Sequence, residues 1–144
     1  MKKFSILFVG GLGLLKIKPI HLELVDNATP YHAKPFPVPH SLETVTENEI
    51  HRLTQIGVFE KNPDSEWAAP TFIEPKKTRD VRILTDFRKL NIMLKRKPFP
   101  LPKISQLLRK LSGFQYATAI ALSMGYYHIP LDIPSQQLCT TILP

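Results

Sequence analysis

Four prolines lie between residues 30 and 39, in the run "NATPYHAKPFPVPH", and no other feature restricts the fold of this chain as much. Proline fixes φ near −65°, removes a backbone donor and pushes the residue before it into extended geometry. The chain has 14 prolines in 144 residues, about twice the ordinary share. A compact helical bundle is therefore a poor fit, and much of the backbone has to run extended. Tyr31 and Phe36 within the run predict a strap docked on other elements, in preference to a free linker or an SH3-type ligand.

The remaining elements follow from periodicity. "IHLELVD" alternates and reads as a strand over 20–26. "SLETVTENEIHRLTQIG" is the clearest helix: Ser41 is the N-cap candidate, Leu42, Val45, Ile50, Leu53 and Ile56 share a face, and Gly57 supplies the stop. "TFIEPKKTRDVRILTDF" reads as strand, basic tip, strand. "LPKISQLLRKLSGF" is a second short helix with Ile104, Leu107, Leu108 and Leu111 on one face and Gly113 behind it. An apolar strand is expected over Ala117–Leu122, and another begins in "QLCTTILP". The chain is one domain's worth, with no internal repeat.

Lys and Arg exceed Asp and Glu by 19 to 12, and the net charge of +7 favours polyanionic partners, nucleic acid before anionic membrane. One cysteine, Cys139, excludes an internal disulfide and suits a reducing, intracellular compartment. "MKKFSILFVGGLGLL" has the basic and apolar regions of a secretory leader but no A-x-A-like cleavage site. It is also too short to span a bilayer, so a secreted protein is the weaker alternative. At the hairpin tip Lys76, Lys77 and Arg79 crowd together, with Arg82 just inside the returning strand. Such a cluster suits a triphosphate or a nucleic-acid backbone, or is simply a solvated turn.

The stretch "VRILTDFRKLN" resembles the reverse transcriptases of LTR retrotransposons, gypsy class. So does an ordered series: "LGLLKIKPIHLEL", "PYHAKPFPVPHSLE", "LTQIGVFEKNPDSEWAAPTFIEPKK", "KPFPLPKISQLL" and "FQYATAIALSMGYYHIPL". The resemblance runs from about residue 8 to 144, and a series is far more specific than one motif. Relatives also carry an "LF-x-G-x-LG" stretch where this chain has "LFVGGLG", which argues against the leader.

The resemblance implies an α+β fold, the fingers and partial palm of a right-hand polymerase, with a mixed sheet and two helices. Residues 1–40 would form the N-terminal strand and strap, 41–113 the fingers, and 114–144 the beginning of the palm. Lys77 and Arg82 match fingers positions that grip the incoming triphosphate, and Tyr126 matches the aromatic gate beneath the deoxyribose, or else is a plain core tyrosine. Lys76 and Arg79 would add nucleic-acid contacts, although the tip "KKTRD" lacks the glycine of "KKDGS"-like turns. Asp86 and Arg88 match the "D-F/Y-R" positions near the template, or form a mutual ion pair.

Where relatives read "S-L-D-L-x-x-G-Y", this chain reads "AIALSMGY", so Ala121 stands at the first catalytic aspartate and no catalytic or metal ligand is assigned. The intact family uses Mg2+, and none is expected to be retained, because a methyl group coordinates nothing. Asp132 lies eleven residues on, roughly 35 Å away if extended. The Tyr-x-Asp-Asp hairpin, the rest of the palm and the thumb are expected beyond residue 144. Expected partners are an RNA or DNA template–primer and dNTP, with no membrane; palm and thumb segments would be needed to complete the hand. Otherwise apolar edges over 117–122 and 140–143 predict self-association. The function implied is a reverse-transcriptase fragment, inactive as it stands; the rival is a noncatalytic basic nucleic-acid-binding remnant.

Overall fold

The computed structural model describes residues 5, 8, 11–111 and 113–143. About half of the leader-like run falls outside them. Among the described residues no helix is long and apolar enough to cross a membrane.

The clearest expected helix forms as α1, Glu43–Gln55. Leu53 is buried and its companions Leu42, Val45, Ile50 and Ile56 are half-buried, so the apolar stripe packs inward. Gly57 ends the helix at φ +76°. Its amide donates to the Thr54 carbonyl (3.1 Å) and the Val58 amide to the Leu53 carbonyl (2.9 Å), a Schellman closure. Ser41 is not the N-cap. A 3-10 turn over His40–Leu42 precedes α1, and Leu42 takes the cap position with no side-chain bond. The turn opens at Pro39, whose carbonyl accepts the Leu42 amide (2.8 Å) and carries the chain into helical geometry early.

β1 (Ala69–Pro75) and β2 (Val81–Thr85) form the expected antiparallel hairpin, with Thr71 opposite Thr85, Ile73 opposite Ile83, and Glu74 opposite Arg82. Thr71 and Val81 on its inner face are buried, whereas Phe72 and Glu74 on the outer face are exposed. β3 (Thr141–Ile142) pairs parallel with β1, giving the order β2-β1-β3 and the expected mixed sheet. The Thr71 and Thr141 hydroxyls bond at 2.9 Å across that pairing. Leu53, Trp67, Ala68, Ala69, Val81 and Leu90, with Ala33 from the strap, make the core.

The strap is docked at its Tyr31–Ala33 end, whereas Phe36, expected to dock as well, is 49% exposed. The Ala68 amide donates to Tyr31 and the Ala33 amide to Ala68 (2.8 and 2.9 Å), while the Lys89 ammonium sits 3.9 Å over the Tyr31 ring. Upstream, 20–26 is not a continuous strand. It makes single bridges, Ile20 to Leu131 and Leu24 to Leu94, because its neighbours on the two sides come from different segments.

α2 (Arg88–Met93) and α4 (Ile133–Leu138) are two short helices that periodicity over so few residues does not reveal. Gln137 and Leu138 thus close a helix rather than open a strand. Asp132 is the N-cap of α4: its carboxylate accepts the Ser135 amide (3.0 Å) and pairs with His21 Nδ1 at 2.6 Å. These bonds, Ser135's before His21's, hold the Asp132 carboxyl below its usual range.

Ala117–Leu122 is not a strand. It runs irregular and exposed, with no pairing segment among the described residues, and a strand without a partner leaves its ladder unmade. α3 (Ile104–Lys110) forms as expected, but its apolar face, Ile104, Leu107, Leu108 and Leu111, is exposed.

Candidate nucleic-acid interface

The hairpin presents its cations on a five-residue tip, 76–80. The tip closes through the Lys76 amide on the Asp80 carbonyl (2.7 Å), and the Thr78 hydroxyl donates to the Asp80 carboxylate (2.8 Å). Lys77 and Arg79 are exposed and, among the described residues, have no ion-pair partner. Lys76 is half-buried and close enough to the Glu49 carboxylate to help lower its pKa, behind the larger effect of the Arg52 bond. Arg82 pairs with Glu74 at 3.4 Å.

Arg79 stands at φ +68°, at the tip position where "KKDGS"-like turns place glycine. The left-handed region costs a non-glycine residue about 1–2 kcal/mol, while glycine loses about 0.4–1 kcal/mol more entropy on folding. Arg79→Gly should therefore raise stability by about 0.5–1 kcal/mol, read as a higher urea midpoint, while polyanion affinity falls. A lower midpoint would show that the arginine side chain supports the turn.

Asp86 and Arg88, just past β2, form the mutual ion pair that was the structural alternative. Arg88 Nε and Nη2 reach Asp86 at 2.9 and 2.7 Å, and the Arg88 amide adds a third bond at 3.0 Å. The side-chain bond from Arg88, then the backbone one, lowers the Asp86 pKa to about 2. A depressed carboxyl contributes fully above its ordinary value and loses that contribution as pH falls through about 2, so at neutral pH the pair is intact. Asp86 is largely covered while Arg88 is 88% exposed.

Tyr126 lies on a 3-10 turn, Gly125–His128, and is 91% exposed, so it is not a core tyrosine. The residue before that turn, Met124, takes φ +53° and brings its sulfur to 3.9 and 4.0 Å from the Arg52 guanidinium. Arg52, bonded to Glu49 through Nε at 2.7 Å, also lines a shallow groove between α1 and the hairpin with Val45, Asn48, Asp80 and Val81. One face of α1 thus touches the Tyr126 turn and the return of the hairpin. Sequence reading missed Arg52, which carries no motif. It also missed Glu74, which was legible: in an antiparallel hairpin with 75 opposite 81, residue 74 must face 82.

Ala121 is exposed on the irregular segment. Asp132, the nearest downstream carboxylate, is spent on capping α4. Among the described residues no three His, Cys, Asp or Glu side chains are grouped to hold a metal ion. These described residues do not fit a two-magnesium centre.

No family model matches the chain. It is 33% identical over 138 residues to an uncharacterised Caenorhabditis elegans protein, K02A2.6, covering 94% of this chain and 11% of that protein. It is 28% identical to the retrovirus-related Pol polyprotein from transposon 297 of Drosophila melanogaster (78% of this chain, 11% of that one). To that from transposon gypsy of the same organism it is also 28% identical (76% and 11%). The chain spans about a tenth of the length of the curated relatives it matches. Its fold matches part of a prototype foamy virus protease–reverse transcriptase mutant, TM-score 0.81 at 20% identity, over 98% of this chain and 19% of that one. The foamy viral protein in complex with double-stranded DNA matches at TM-score 0.75 and 20% identity, over 95% and 30%.

Proposed function

We propose, from the premise that this chain is a reverse-transcriptase-related relative of gypsy-type retrotransposon Pol polyproteins, that it binds nucleic acid without catalysing nucleotidyl transfer. The single observation that carries this is the hairpin tip: exposed cations on a two-stranded stalk, joined to a fold whose Ala121 position offers no carboxylate. The foamy viral neighbour bound to double-stranded DNA supports a nucleic-acid partner for this fold. Residues 41–113 act as fingers, with Lys76, Lys77 and Arg79 against phosphates and Arg82 beside them. Tyr126, exposed on its turn, meets a sugar or base in this reading, and Asp86 serves Arg88 rather than a ligand. The single cysteine, Cys139, suits a reducing, intracellular setting.

Binding through phosphates alone is indifferent to sequence and steeply salt-dependent, since each neutralised phosphate releases a counterion. With three or four contacts the log–log slope of affinity against salt on duplex DNA is about −3. Fluorescence anisotropy of a labelled duplex, titrated between 50 and 300 mM salt, gives that slope. An affinity that ignores salt, or that selects one sequence, contradicts the proposal.

A further inference from the structure

We infer that Glu74 is a built-in competitor for the anion at the hairpin, occupying Arg82 until a phosphate displaces it. The inference rests on the phosphate-binding role proposed above and adds a regulating residue to it. The hairpin register puts the two residues directly opposite, on the outer face of the sheet, with Oε2 and Nη1 3.4 Å apart. Their side chains are 52% and 63% exposed, so the pair sits in water rather than in the core.

A neighbouring pair shows the difference between a held and a releasable arginine. Arg88 makes bidentate bonds to a largely covered Asp86, reinforced by its own amide. Arg82 makes one long bond to a solvated carboxylate. Exposed pairs of that kind contribute little, whereas a phosphate offers a guanidinium two short charge-assisted bonds. Phosphate therefore wins Arg82 but does not win Arg88. The hairpin's other acid, Asp80, is tied to Thr78 and shapes the turn. Glu74 is thus the acid of this hairpin that acts on ligand binding, by holding Arg82 back.

The test is a double-variant cycle on the whole chain: unmodified, Glu74→Gln, Arg82→Gln and both together, each titrated with a fluorescein-labelled 20-nucleotide oligo(dT) at 50 mM salt. Glu74→Gln should tighten binding about three- to fivefold when Arg82 is present. It should tighten it less than about 1.5-fold when Arg82 is replaced, beyond which the acid is only background charge. Glu74→Thr, a good strand former, should give the same ratio and guards against a local defect from glutamine. Equal effects with and without Arg82, or no effect, overturn the inference and leave the hairpin's binding role standing. No binding by any of the proteins overturns the binding role and the inference together.

Discussion

Leu53→Ala is expected to remove about 3 kcal/mol of stability, a large part of what a domain of this size has. Leu53 is 2% exposed in α1, facing the sheet, and its carbonyl accepts the Val58 and Phe59 amides that close the helix. Truncation loses the transfer energy of the buried methyls and leaves a cavity that α1, anchored at Gly57, cannot follow inward. Leu108→Ala, at a 62% exposed position of α3, is the matched control and should change stability by less than about 0.5 kcal/mol. Urea denaturation followed by circular dichroism reads both. Equal shifts would mean that the core is not where α1 meets the hairpin.

Replacing Lys76, Lys77, Arg79 and Arg82 together by glutamine should lower affinity for a duplex about a hundredfold at 50 mM salt and flatten the salt slope from about −3 toward zero. Raising salt fourfold should weaken the unmodified chain about 60-fold and the variant less than about threefold. Charge alone does not make this prediction, because the chain has many other cations. Arg88 is held by Asp86, Lys95 pairs with Asp26, and Lys97 pairs with Glu23. Lys97→Gln, one such engaged cation, should change affinity less than about 1.5-fold, against about threefold for each hairpin cation. A loss as large as that from a hairpin cation would make binding a property of net charge rather than of the hairpin.

The hairpin, α1 and the docked strap were legible because each is written in more than one signal. The strap has prolines and aromatics; α1 has a 3.6-residue stripe and Gly57; the hairpin has two runs around a basic tip. Ala117–Leu122 misled because an apolar run names a side-chain environment and not a partner, and strand geometry needs the partner. α4 was hidden in a short stretch whose signal was its cap: Asp132, then Pro134 and the Ser135 amide that the carboxylate accepts. In the candidate site the four hairpin cations were read from sequence, and their states were not. That Arg88 is locked, Arg82 releasable and Arg79 strained depends on register and φ, which appear only once the chain is folded.

Magnesium-dependent dNTP incorporation on a primed RNA template reads directly whether this chain catalyses nucleotidyl transfer. Ala121 supplies no metal ligand, and Tyr-x-Asp-Asp does not occur in these 144 residues. One added carboxylate leaves a two-metal site short of ligands, which typically costs orders of magnitude in rate. No incorporation above a no-protein control is expected from the chain, and none from Ala121→Asp, while both bind the template–primer with the same salt slope. Incorporation by the unmodified chain would contradict it, and incorporation by Ala121→Asp alone would show that the other metal ligands are present and that Ala121 is the sole defect.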